Sequence, residues 1–217
     1  NILNKENIKK KNLYNKELSF IEWKQIIDKI SSASSPIIVI GGGEPFLHPD
    51  IINIVHYIKS KNLQCRLLTN GTLIPQEKIS ELIDTQLDDL AISIDGIAET
   101  HNTLRANGNI FQSVINTLQL LLKEKERKKT KIPLIRINCL INAYNYKNLD
   151  MLVEFLNDYP VDRIDFLHLN FITKKILDDQ NKLINKFILF SFPFSRTLFL
   201  GSKFSTEPGN QNLYIVL

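Results

Sequence analysis

Three short clusters of small and polar residues have the composition of a ligand site: Gly41-Gly42-Gly43-Glu44-Pro45, Thr69-Asn70-Gly71 and Ser93-Ile94-Asp95-Gly96. Each directly follows an apolar run that reads as a strand. Glycine lets a backbone approach a ligand closely and leaves its N–H and C=O groups free to bind it. Glu44 adds a carboxylate suited to an ammonium group, and Thr69, Asn70, Ser93 and Asp95 offer hydroxyl, amide and carboxylate partners for a sugar or an amino acid. Any one cluster is also ordinary turn chemistry, because Gly, Asn and Asp favour turns. Three of them at successive strand ends, one with Glu-Pro after a glycine triplet, point to a binding rim.

Competing chemistries find no support. The triplet fits neither Gly-x-Gly-x-x-Gly nor Gly-x-x-x-x-Gly-Lys-Ser/Thr, and Glu44 would repel a phosphate. His48, His56, His101 and His168 form no paired helical motif with a glutamate base and read as surface or packing residues. No serine stands in a nucleophile elbow. Cys65 and Cys139, the chain's 2 cysteines, are far apart in sequence and read as small buried hydrophobes on strands.

The elements that must position these clusters follow from periodicity. Ser19-Phe20-Ile21-Glu22 has the form of a capping box, opening a helix with Phe20, Trp23, Ile26, Ile27 and Ile30 on its apolar face. Pro36 leads Ile37-Ile38-Val39-Ile40, apolar on both faces as in the middle of a parallel sheet. A helix over 50–61, a strand over 65–68, a helix from Pro75 and a strand over 90–94 come next. They are followed by a helix over 109–125, a strand over 134–141, a helix over 149–156 and a strand over 163–169. Such alternation implies parallel crossovers and an α/β fold, either a barrel or a doubly wound sheet. Five strands fall short of a closed eight-fold barrel, which takes about 250 residues. A partial barrel, TIM-barrel-like and open, suits this length.

The chain has 217 residues, 43% hydrophobic and 23% charged, ordinary for a globular domain. Its net charge of +4 arises largely from lysine-rich runs near residues 9–11 and 123–131. Without interleaved aromatics these runs argue against nucleic acid as a partner. Too few cysteines for a stapled framework, a polar amino end and no apolar span give expectations of a cytoplasmic chain and no membrane partner. Residues 1–16 read as a polar loop, 17–172 as the core and 173–217 as an extension rich in phenylalanine. The chain starts at Asn1 and its one methionine is Met151, so a piece of a longer protein is expected.

In these same residues the sequence resembles the radical S-adenosylmethionine (radical SAM) superfamily. GGGEPFLHPDI at 41–51 matches the family's Gly-Gly-Glu-Pro motif, and LLTNGTL at 67–73 and AISIDG at 91–96 resemble the next two strand ends. His101, Arg105, Gly108, Phe111 and, in RINCLINAYNYKNLDMLVEFL at 136–156, Asn145 follow in the family's order. The resemblance implies a partial (β/α)-barrel of the radical SAM type that binds S-adenosylmethionine on its rim. Gly42, Gly43, Glu44 and Pro45 would hold the methionine ammonium, Ser93 and Asp95 the ribose or carboxylate, with Thr69, Asn70 and Arg105 as further contacts. It also implies a 4Fe-4S cluster, an electron donor, a 5′-deoxyadenosyl radical, and a small-molecule or peptide substrate.

The family's Cys-x-x-x-Cys-x-x-Cys motif is absent, so the chain is expected to lack the first strand and cluster loop and to be inactive as it stands. Two other readings stay open: a cluster-free nucleoside-binding module or pseudoenzyme, and an unrelated barrel enzyme using Glu44 and Asp95 as acid and base. A missing first strand would leave Ile37–Ile40 as an unpaired, association-prone edge.

Overall fold

The structure is a computed structural model and describes residues 17–32, 37–105, 108–168 and 212–216. It opens with helix α1 (Phe20–Ser31), followed by strand β1 (Ile37–Gly41), helix α2 (Ile51–Ser60) and strand β2 (Gln64–Thr69). Helix α3 (Ile79–Asp84), strand β3 (Asp89–Ser93), helices α4 (Ala98–Leu104) and α5 (Ile110–Lys128), and strand β4 (Leu134–Ile141) come next. Helix α6 (Leu149–Leu156), strand β5 (Arg163–His168) and, much later, strand β6 (Asn212–Val216) complete the series. The bounds of β4 and α6 are those the periodicity gives, α4 and β6 have no counterpart in it, and the other elements shift by a residue or a few.

Local chemistry explains the boundaries. Ser19 Oγ accepts from the Glu22 N–H while Glu22 accepts from the Ser19 N–H at 2.8 Å, so the capping box closes and α1 starts at Phe20. Trp23 and Ile27 then turn into the core. Asn102 Oδ1 accepts the Phe111 N–H at 2.8 Å and satisfies a free donor at the head of α5. That helix ends where Lys129 takes a left-handed conformation, φ 52°. Pro75 stands just ahead of a 3-10 turn, Gln76–Lys78, which runs into α3.

All strand pairs are parallel, in the order β5-β4-β3-β2-β1-β6. From β1 to β5 the order is sequential, with none of the reversals that define a doubly wound sheet. The core confirms the distinction. It takes one parity of residue from each of these strands: Ile38 and Ile40, Cys65 and Leu67, Leu90 and Ile92, Ile135 and Ile137, Ile164 and Phe166. These pack with Trp23 and Ile27, Ile54 and Ile58, Leu82, Leu118 and Leu152 from helices all along the chain. The helices therefore share one face of the sheet, as in a barrel, and the fold is a partial (β/α)-barrel.

The other face carries the alternate residues, and in its lower half these are charged. Arg66 of β2 pairs in register with Asp89, and Arg136 of β4 with Arg163. Arg136 Nε lies 2.6 Å from the Asp89 carboxylate, and its Nη1 lies 3.0 Å from Asp165. Arg163 Nε approaches the other Asp165 oxygen at 2.7 Å. Asp89, Arg136 and Asp165 are nearly sequestered, so this string of ions ties β3, β4 and β5 together across the barrel interior. Burial pushes the Asp89 carboxyl above the usual carboxylate range, against the opposing pull of Arg136, Arg66 and Arg163.

One expectation is corrected. β1 is not an edge: β6 pairs with its full length, from Ile37 opposite Asn212 to Gly41 opposite Val216. The unbroken Ile37–Ile40 run already called for neighbours on both sides, and the chain's own late segment provides the second. The phenylalanine-rich part of the extension lies outside the described residues.

Candidate functional site

The strands deliver their carboxyl ends to one rim, and the three sequence clusters sit there as the β1, β2 and β3 ends. Glu44 is the centre of the first arrangement. Only 7% exposed, it receives hydrogen bonds from three backbone and side-chain donors on two loops. Its Oε1 accepts from Thr69 Oγ1 at 2.7 Å and from the Phe46 N–H at 3.2 Å. Its Oε2 accepts from the Asn70 N–H at 2.7 Å. A carboxylate oxygen accepts about two such bonds in the plane. Oε1 is therefore filled, whereas among the described residues Oε2 keeps one acceptor position.

Thr69 and Asn70 are fixed in turn. Thr69 Oγ1 accepts the Gly71 N–H at 2.9 Å, and Asn70 Oδ1 accepts from both the backbone and hydroxyl of Thr72. Pro45 is buried at the start of the 3-10 turn Pro45–Leu47. Gly42 and Gly43 are exposed above this base.

The glycines separate fold from function. Gly71 has φ 76°, and a Cβ there would lie 3.0 Å from Ile92 Cγ2; Gly96 has φ 158°, and its Cβ would meet Thr100 at 2.7 Å. The fold itself demands both. Gly43 has no positive φ, and a Cβ built on it meets nothing within 4 Å. Nothing among the described residues requires glycine at 43, and the open space there is what a close-lying ligand would use.

A second arrangement surrounds Asp95, which is 3% exposed. Its Oδ2 accepts from Arg105 Nε at 2.6 Å and its Oδ1 from the Leu140 N–H at 2.8 Å. Its own N–H donates to His101 Nδ1 at 3.1 Å, and its carbonyl accepts from Asn145 Nδ2 at 2.8 Å. Asp95 and Arg105 thus come together, clasping the β3 and β4 ends. Ser93 sits apart from both arrangements, opposite Asn138 in register on the sheet face that bears no helices. No direct hydrogen bond among the described residues joins the Glu44 and Asp95 arrangements.

His101 is almost fully buried and packs against Phe111, with centroids 5.9 Å apart. Accepting at Nδ1, it carries its proton on Nε2 when neutral. Burial holds its pKa below the ordinary histidine value. With a lowered folded pKa the unfolded chain binds more protons in that window, so stability falls as pH drops below about 6.5. Denaturant midpoints measured between about pH 5 and 7.5 should show this slope, and His101→Gln should flatten it.

Sequence reasoning overlooked three features here. α4 has little apolar periodicity and owes its place to His101 and the Gly96 turn. Asn145, noted only through the family pattern, emerges as the buried strut under Asp95. Leu47, Leu73 and Tyr144 are exposed apolar residues on the β1, β2 and β4 loops, so the rim is apolar as well as polar. A groove bordered by Gln76, Ile79, Leu120 and Arg127 lies on the helical side and is unconnected with the rim.

The residues do not suit an iron–sulfur cluster. Cys65 on β2 and Cys139 on β4 are separated by β3, about 10 Å across the sheet, and the strand register offsets them by about a further 20 Å along it. Both are fully buried in the core, where desolvation pushes their thiols up, away from the thiolate a cluster needs. Among the described residues no group of three or more His, Cys, Asp or Glu side chains could hold a metal ion.

A parallel sheet with its helices on one face and polar loops gathered at the strand ends defines a (β/α)-barrel protein. The family model of the Radical SAM superfamily matches residues 6–138. The chain belongs to that superfamily. It is 30% identical over 156 residues to the Fe-coproporphyrin III synthase of Methanosarcina barkeri, covering 72% of this chain and 37% of that one. It is 30% identical over 144 residues to the mycofactocin maturase of Mycobacterium tuberculosis, covering 66% and 35%. The chain therefore spans little more than a third of those relatives' length. Among solved structures it superposes on native anSMEcpe with bound AdoMet at a TM-score of 0.62 and 17% identity, over 80% of this chain and 51% of that one. SuiB of Streptococcus suis gives 0.61 and 19%, over 80% and 40%. These two likenesses concern the fold.

Proposed function

We propose that this chain is the S-adenosylmethionine-binding portion of a radical SAM protein, holding the ligand's methionine end above Gly42 and Gly43. The observation that carries the reading is Gly43, a glycine that the fold does not need, beside a Glu44 oxygen with one acceptor position left. An ammonium donates well to such a charged acceptor. Ser93 would meet hydroxyl or carboxylate groups further along the rim, and Pro45, Thr69 and Asn70 set the Glu44 geometry. Asp95 and Arg105 hold the far wall. In the family the bound S-adenosylmethionine supplies a 5′-deoxyadenosyl radical for hydrogen abstraction from substrate, and the protein's part is to position it. That chemistry draws on a 4Fe-4S cluster and an electron donor. This chain's cysteines do not provide the cluster's ligands, so its own residues are assigned binding and orientation alone. Relatives named for coproporphyrin, heme and peptide modification point to a small-molecule or peptide substrate.

Calorimetric titration with S-adenosylmethionine tests this. The chain should bind it saturably, and Gly43→Ala should weaken binding at least about tenfold while leaving the unfolding midpoint in place. Gly96→Ala, by contrast, should lower the midpoint through the Thr100 clash. Loss of stability without loss of binding in Gly43→Ala would make Gly43 a structural glycine and remove the main support for the rim.

A further inference from the structure

The charged side chains on the helix-free face of the sheet, Arg66, Asp89, Arg136, Arg163 and Asp165, do not balance. Two carboxylates face three guanidinium groups, each with several N–H donors and no acceptor. Arg136 spans both carboxylates, and Arg163 donates through Nη2 to Asp165 at 3.0 Å. Arg66 takes no share of these bonds. Directly opposite Asp89 in register, it forms neither a hydrogen bond nor an ion pair among the described residues, and acts on Asp89 only as a nearby positive charge. Its side chain is partly buried. A partly desolvated cation without a bonded partner is a good receptor for an anion.

The surroundings select the anion. Leu68, two residues along β2 and about 7 Å nearer the rim, lies beside Ala91 in register. Leu140 lies beside Leu167, which is 41% exposed on the same face. This face is therefore basic below and apolar above. Asp89 and Asp165 within the charged layer would repel a second negative charge, which favours a carboxylate over a phosphate. Thr69 at the rim is three residues beyond Arg66, about 10 Å, a distance one small molecule spans.

We propose that this basic layer is a carboxylate subsite anchored by Arg66, so that the substrate taken beneath the rim carries a carboxylate on an apolar body. Calling the bound molecule a substrate rests on the rim reading above, whereas the subsite itself stands without it. The carboxylate accepts from the Arg66 guanidinium, and the apolar body lies along Leu68 and Ala91.

Titration of the full chain with hexanoate at low ionic strength, followed by NMR through the arginine Nε–Hε signals, tests this. Hexanoate should bind saturably and shift the Arg66 signal, and hexanamide, of the same shape without the charge, should bind at least about tenfold more weakly. Two variants should move the affinity in opposite directions. Arg66→Gln should weaken hexanoate binding at least about fivefold, and Asp89→Asn, which removes a competing carboxylate, should tighten it at least about threefold. A merely structural Arg66 would change the unfolding midpoint and leave hexanoate binding as it was. Unchanged affinity in Arg66→Gln, weaker binding in Asp89→Asn, or equal binding of hexanoate and hexanamide overturns the subsite. Inorganic phosphate binding more tightly than hexanoate overturns the carboxylate class. Displacement of hexanoate by S-adenosylmethionine would put it at the rim and overturn the placement, whereas simultaneous binding of the two supports it. If the chain takes up hexanoate but no S-adenosylmethionine, the rim reading fails and the anion subsite stands.

Discussion

Glu44→Ala is expected to lose about 3 kcal/mol of stability and at least about thirtyfold in affinity for S-adenosylmethionine, the two losses having different origins. The stability term comes from donors left without an acceptor. Thr69 Oγ1 and the Asn70 N–H both converge on this carboxylate, and removing it strands them where water has little access. The affinity term comes from the ligand's ammonium, which loses its charged partner. Glu44→Gln keeps the volume and one acceptor oxygen, so it should regain about half of the stability and little of the affinity. Chemical denaturation and calorimetry on the same samples separate the two. An alanine variant that unfolds earlier yet binds normally would reduce Glu44 to a clasp between the β1 and β2 loops.

The second large effect concerns the barrel interior. Arg136→Met should cost about 3–5 kcal/mol, because it leaves Asp89 buried without its nearest cation. Its sign with pH is also fixed. Asp89 already has a raised carboxyl pKa in the folded chain, and losing Arg136 removes the largest opposing influence and raises it further. Above the unfolded value of about 3.9 the folded variant then binds more protons than the unfolded one, so its stability falls as pH rises through that window. The wild type should show the same trend with a shallower slope. Adding Asp89→Asn to Arg136→Met should remove most of the extra slope, which denaturation curves between about pH 4 and 7 would reveal. A pH-independent loss would place the damage in packing rather than in charge.

Much of this architecture was legible because burial writes itself into local periodicity. Ile37–Ile40 is apolar on both faces and lies between two neighbours, and Leu134–Ile141 alternates because one face meets helices and the other the interior. The capping box at Ser19 and Glu22 was readable because its partners are three residues apart. What escaped depends on partners distant in sequence. The polar positions in RINCLI and RIDFLH look like ordinary strand alternation, and only strand register brings Arg136 to both Asp89 and Asp165. β6 had no periodic setting to mark it, and its role exists only beside β1. At the rim the residue types were legible and the division of labour was not. The family resemblance assigned Gly43 to the methionine ammonium and Asp95 to the ribose or carboxylate. In the structure each Asp95 oxygen accepts one bond from within the chain, one of them from Arg105, whereas Gly43 faces open space.

The β1–β6 pairing also sets a timetable for the newborn chain. A ribosome adding roughly 5–20 residues per second finishes β1 on the order of ten seconds before it has made Val216. Through that interval β2 to β5 can assemble in order, each against the last. The Ile37–Gly41 strand meanwhile goes without this partner, so the β1–β6 ladder is the last of these pairings to close.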